Sequence, residues 1–243
     1  MLSGHVYTLP TGARGFDTNT PLTARTAQAF KAARFDFAVR YCWRKSRNRW
    51  DLTTEEAQII LDAGLALMAV QHVHPDSEKP HGWQPDEDLG VEYGDTAVEH
   101  CQLIGLPAGV NVWLDVEGVG PDVDESDAID YCNAWHSRVA AGGYVPGQYV
   151  GFNPGMSGRS LYYALRFTHY WGAYNDDNVP AVRGFQMQQH ERTISEIPAG
   201  VPRDFAFDTN TVQLDRLRGL PIALIKSPDF ADVISSSSST AGA

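Results

Sequence analysis

Two acidic motifs in this chain have the residue types and spacing that proton-transfer chemistry needs. The first is Asp115-Val116-Glu117, inside the apolar run VNVWLDVEG at residues 110–118. In an extended strand, side chains two apart share a face with Cα atoms about 6–7 Å apart, so Trp113, Asp115 and Glu117 point one way. Each carboxylate then raises the pKa of the other, and burial beside Trp113 adds to the effect. A carboxyl kept protonated near neutrality can act as general acid while its ionised neighbour stabilises developing positive charge. The second motif is an echo: Phe16-Asp17-Thr18-Asn19-Thr20 recurs as Phe207-Asp208-Thr209-Asn210-Thr211. Each copy is expected to end a strand. Thr18, Asn19 and their copies read as turn and helix-cap chemistry. The two aspartates are candidates for function, provided the fold brings them together.

The elements that must do so alternate in kind. Strands are predicted at residues 14–17, 35–41, 65–72, 110–117, 145–152, 168–174, 183–188 and 204–208. Helices are predicted at 23–34, 53–62, 95–104, 125–141 and, more briefly, 160–167. Strand-helix alternation implies parallel pairing with crossover helices. Eight strands in about 200 residues suit an α/β fold of the (β/α)₈ TIM-barrel type. The expected organisation is an N-terminal extension (1–13), one barrel domain (14–226), irregular in its last third, and a serine-rich, disordered tail (227–243). Barrel closure makes the first and last strands neighbours, so Asp17 and Asp208 are expected to face each other at the mouth. The polar segment at 74–94 is expected to be a long loop, a lid or substrate wall.

Composition narrows the chemistry further. The formal net charge is −11, which disfavours nucleic acid as a partner. No apolar run is long enough to cross a membrane. No secretory signal is visible, so the chain is expected to be made in the cytoplasm. It would act at the bacterial cell wall after non-classical export, with a phage-lysis or secretion apparatus as partner. Cys42, Cys101 and Cys132 are scattered and odd in number, unlike a disulfide scaffold or a structural zinc site. The missing GxGxxG turn weakens a dinucleotide-binding alternative. His72-x-His74 with Asp115 suggests a metal-dependent hydrolase, but such sites need three convergent ligands, and no metal or other cofactor is expected. Cys42 lacks an evident histidine partner and reads as a buried thiol rather than a nucleophile.

Asp on strand one, Asp-x-Glu on strand four and Asp on strand eight together resemble the glycoside hydrolase family 25 lysozymes. Gln148-Tyr149-Val150-Gly151, Trp171-Gly172-Ala173-Tyr174 and Phe185-Gln186 are similar to that family's later motifs, in the same order. Gly15-Phe16-Asp17, Arg40-Tyr41 and the Asp115–Glu117 pair resemble more closely the glycoside-hydrolase-like family once called domain of unknown function 1906. Departures are Phe185, where tryptophan is usual, and a Tyr149 segment without the typical threonine.

The resemblance implies a hydrolase of β-1,4-linked amino-sugar glycan, with peptidoglycan strands as the leading substrate. Glu117 would be the general acid/base, Asp115 would assist the substrate's N-acetyl group, and Asp17 and Asp208 would position substrate or tune Glu117. Tyr41, Trp43, Trp113, Tyr149, Trp171 and Tyr174 fall near predicted strand ends and are expected to stack on sugar faces. Gln186 and Gln188 are expected to bond hydroxyls. The alternative is a catalytically silent glycan-binding barrel.

Overall fold

The computed structural model describes residues 1–72, 82–174 and 178–226. Its β-branched and aromatic runs form ten strands: β1 His5–Thr8, β2 Arg14–Thr18, β3 Phe37–Tyr41, β4 Ala66–His72, β5 Asn111–Val116, β6 Val145–Val150, β7 His169–Gly172, β8 Met187–His190, β9 Asp208–Val212 and β10 Ile222–Ile225. Strands β2 to β9 close an eight-stranded barrel in chain order, with β5 against β4 and β9 back against β2. The antiparallel β1–β10 pair attaches to β4 through β10, so the expected N-terminal extension carries a strand.

Strands β2 to β8 are parallel. The closing strand is not: β9 runs antiparallel to both β8 and β2, against the all-parallel expectation. Between β8 and β9 the chain makes a single 3₁₀ turn, Ile194–Glu196, and no crossover helix. A connection that stays at one end of a sheet returns its strand in the opposite direction. Asp208 therefore opens β9 instead of ending a strand, yet it sits at the same barrel end as Asp17. The register pairs Asp17 directly with Asp208 and Phe16 with Thr209.

Among the described residues, five α-helices pack outside: α1 Ala24–Ala32, α2 Thr54–Asp62, α3 Glu87–Ile104, α4 Glu125–Ala141 and α5 Gly158–Tyr163. Their starts follow local chemistry. Thr23, Thr53 and Asp86 accept hydrogen bonds from the backbone at the third helical position, and acids fill the first turns of α2 and α3. Asp86 is thus a cap, so much of the segment expected as loop is the first two turns of α3. Residues 82–85 of that segment carry a single bridge, Trp83 to Val119, before the cap, and its residues 74–81 lie outside the described residues, as does the predicted tail from 227. Glycines let α3 and α4 approach closely: a Cβ on Gly90 would stand 2.3 Å from the Tyr131 carbonyl oxygen.

The core fills the barrel and its helical coat. Both phenylalanines of the echo enter it. Phe16 stacks on Phe30 with centroids 3.8 Å apart, and Phe207 meets Phe30 edge-on at 5.0 Å. These contacts fix the two aspartates that follow them in sequence. The three cysteines are free and buried.

Candidate active site

At the C-terminal end of the parallel strands lies a cavity of about 330 Å³. Its acidic wall is Asp17, Asp115, Glu117 and Asp208, brought together from β2, β5, the residue after β5, and β9. His72, at the end of β4, lies beside Asp115 in register. Its Nδ1 is 2.6 Å from Asp115 Oδ2, while Asp115 Oδ1 is buried with no hydrogen-bond partner among the described residues. Burial alone would lower the His72 pKa. The Asp115 charge and hydrogen bond outweigh it, and the pKa is raised.

Burial, then the Asp115 charge, pushes the Glu117 carboxyl up to about 7. His72, the Phe152 backbone amide and the Tyr149 hydroxyl moderate that rise. Asp17 is also raised to about 7, chiefly by burial, with Asp208 and Asp115 adding repulsion. Asn210 Nδ2 and Gln189 Nε2 donate to Asp17 Oδ2 at 2.7 and 3.1 Å, which opposes the shift. The Tyr149 hydroxyl donates to Gln189 Oε1 at 2.8 Å, so a hydrogen-bond relay runs from Tyr149 through Gln189 to Asp17. Asp208 is raised by burial against the opposing charge of Arg192. This wall can hold two carboxyl protons near neutrality, at Asp17 and Glu117.

Tyr41, Tyr149, Trp171 and Tyr174 line the same cavity. So does Phe152, at 68% exposure the most open of these aromatics. Four residues expected at the site are not brought into it. Trp113 shares a face with Asp115 and Glu117 but lies deeper, fully buried, its Nε1 donating to Met68 Sδ and its ring edge-on to Trp171. Trp43 turns outward to stack on His100 and donates to the Thr96 carbonyl. Gln186 is buried among Tyr170, Thr168 and Asp215. Gln188 ties the carbonyls of Gly172 and Ala173. Sequence reasoning in turn missed Gln189 and Phe152, assigned Asn210 to turn and cap chemistry, and read His72 only as a candidate metal ligand. Membership in the echo was the available signal for Asn210.

His72, Asp115 and Glu117 each offer an atom within 4.8 Å of the others and could hold a divalent ion. Two ligands on one tetrahedral zinc ion stand about 3.3 Å apart, so the 2.6 Å His72–Asp115 contact is a hydrogen bond that an ion must break. His74 lies outside the described residues. Cys42 is buried outside the cavity, and its thiol is pushed well up by Cys101 and by burial.

Residues 28–200 match the family described as Rv2525c-like, glycoside hydrolase-like domain. The chain belongs to this family. Among solved structures, the Rv2525c-like barrel resembles the Tat-secreted protein Rv2525c of Mycobacterium tuberculosis, at 16% identity and a TM-score of 0.59, covering 83% of this chain and 95% of that one. It is similar to a bacterial lysozyme from Streptomyces coelicolor at 15% identity and a TM-score of 0.58, covering 84% and 93%. A family GH25 lysozyme from Aspergillus fumigatus matches at 12% identity and a TM-score of 0.53, covering 84% and 94%. At these identities the likeness is one of fold. No curated protein matches the chain in sequence.

Proposed function

We propose that this Rv2525c-like barrel hydrolyses a β-1,4-linked amino-sugar glycan, with peptidoglycan as substrate. The observation that carries the reading is the Asp115–Glu117 pair: a carboxyl held protonated to about pH 7 beside one fastened to His72, under a rim of aromatic side chains. Glu117 gives its proton to the leaving glycosidic oxygen. Asp115 orients the substrate's N-acetyl group, whose carbonyl oxygen attacks the anomeric carbon, and Glu117 then takes a proton from the incoming water. Carboxylate oxygens of Asp115 and Glu117 fall within 4.8 Å of each other. Inverting enzymes separate their carboxyls by about 6.5–9.5 Å to admit a water, so the short spacing supports retention of configuration. Tyr174 and Phe152 offer ring faces to sugar C–H surfaces. Asp17 and Asp208 position the substrate or tune Glu117. The site of action is the cell wall, reached by export.

The test is a muropeptide digest of purified peptidoglycan. Wild-type protein is expected to release reducing ends, and Glu117→Gln to release none while still sedimenting with the insoluble wall. EDTA is expected to leave the rate unchanged. If the wild type releases no ends from any amino-sugar polymer yet sediments with it, the barrel is a glycan-binding module instead.

A further inference from the structure

The chain is acidic overall, but one loop on the mouth side of the barrel is the reverse. Residues 44–50 read Arg-Lys-Ser-Arg-Asn-Arg-Trp: four of the 19 basic residues of the chain, with no acid among them. The loop leaves β3 just after Tyr41, a cavity residue, so it lies on the mouth side of the barrel. Lys45, Arg47 and Arg49 are exposed. Among the described residues, neither Arg47 nor Arg49 takes part in an ion pair, and Lys45 meets Glu92 only at 3.9 Å, with both side chains about half exposed. Such a pair contributes little in water.

The loop is built to hold this charge outward. Arg40 Nη2 donates to the Trp50 carbonyl at 2.9 Å and the Leu52 amide to the Tyr41 carbonyl at 2.9 Å. Asn48 and the buried Asp51 close a turn through two bonds of 2.7 and 2.9 Å. Arg49 lies over the half-exposed Trp50 ring, 4.4 Å from its centroid. These ties fix the loop backbone from Asn48 to Leu52 and the Arg49 side chain, so that part of the loop loses little conformational entropy when an anion docks. It also faces a problem that the cavity creates. Even with the Asp17 and Glu117 carboxyls protonated, the acidic mouth disfavours a polymer with regular negative charges, and a cationic flank on one side counters that field and sets the polymer's direction of entry.

We propose that residues 44–50 form a second binding site, a cationic arm that takes the anionic groups of a polyanionic glycan while its neutral sugar backbone occupies the acid-lined cavity. The ligand chemistry is a row of carboxylates or phosphodiesters pendant on the glycan. The arm rests on the reading of the cavity as a glycan site, but its test needs no turnover.

Cosedimentation with insoluble peptidoglycan compares wild-type protein with a triple variant, Lys45→Gln, Arg47→Gln and Arg49→Gln. At low salt the variant is expected to bind the native wall about tenfold more weakly, since three exposed charge contacts are lost. Wild-type affinity is expected to fall steeply between 50 and 300 mM salt and variant affinity to stay nearly flat. Arg47→Lys with Arg49→Lys is expected to restore binding. Two treated walls identify the anion. Loss of the wild-type advantage after hydrofluoric acid stripping assigns it to phosphodiesters; loss only after carboxyl amidation assigns it to carboxylates. Equal low-salt binding of the triple variant and wild type to the native wall overturns the proposal, as does a variant deficit that persists undiminished on a stripped and amidated wall. An inactive protein with a salt-sensitive arm defeats the hydrolase reading alone. An active protein indifferent to the triple change defeats the arm alone.

Discussion

Gly151 stands against Glu117 so closely that a Cβ on it would lie 2.1 Å from Glu117 Oε1 and 2.4 Å from Cγ. Glycine here is the space that the proposed proton donor occupies. Gly151→Ala must push the Glu117 side chain off its seat, because the strand β6 end behind it is buried barrel wall. A displacement of about 1 Å at a reacting group can cost about a hundredfold in rate. Overpacking itself costs about 1–3 kcal/mol. The expected result is a kcat on peptidoglycan reduced about a hundredfold, with a folded protein by circular dichroism. Wild-type kcat in this variant would show that the position of Glu117 does not set the rate.

The two raised carboxyls make pH a direct probe. Glu117 can donate only while protonated, so activity is expected to fall as pH rises through about 7. Stability follows the same sign. Asp17 goes from an ordinary 3.8 to about 7 on folding, so the native state holds a proton that the unfolded chain releases. That contribution is whole below about pH 4, declines as pH rises, and is gone above about 7. Three units correspond to about 4 kcal/mol at most. Asp17→Asn is expected to flatten the dependence of Tm on pH between 4 and 8 and to raise Tm at pH 8. A variant whose Tm falls with pH as steeply as the wild type would place the titration elsewhere.

Several parts of the site were legible because they rest on local rules. Alternation put Asp115 and Glu117 on one face, and the echo singled out Asp17 and Asp208 before any pairing was known. Alternation gives a face but not a depth, which is why Trp113 was expected at the mouth and lies beneath it. Strand direction leaves no trace in periodicity, so the antiparallel course of β9 could not be read, and the strand expected at 204–208 meets β9 only at Asp208. The glutamines show how a small error in bounds changes a face. The strand expected at 183–188 begins at Met187, and it is Gln189 that reaches the cavity, with Gln186 in the turn before the strand. The His72–Asp115 bond joins residues 43 apart in sequence and depends on β4–β5 register, which only the folded barrel supplies.

The rim that carries the cationic arm hangs on a fully buried ion pair. Arg40 Nε lies 2.6 Å from Glu56 Oε1, and its Nη2 lies 3.2 Å from Oε2. The same guanidinium donates to the carbonyls of Thr18 and Trp50, and Glu56 accepts from the Leu22 amide at 2.8 Å. One side chain therefore joins the end of β2, the arm and the first turn of α2. Arg40→Ala leaves the Glu56 carboxylate buried without its cation and frees the Thr18 and Trp50 carbonyls. Breaking one half of such a pair costs about 3–5 kcal/mol, which for a domain of this size lowers Tm by roughly 6–20 °C. Replacing both partners with apolar residues, Arg40→Met with Glu56→Leu, removes the stranded charge and is expected to recover most of that Tm. It does not restore the tether on Trp50, so wall binding at low salt is expected to stay below wild type in the recovered double variant. Thermal melts and cosedimentation of both variants check the two halves separately. A double variant no more stable than Arg40→Ala would mean that the carbonyl contacts, and not the stranded carboxylate, dominate the loss.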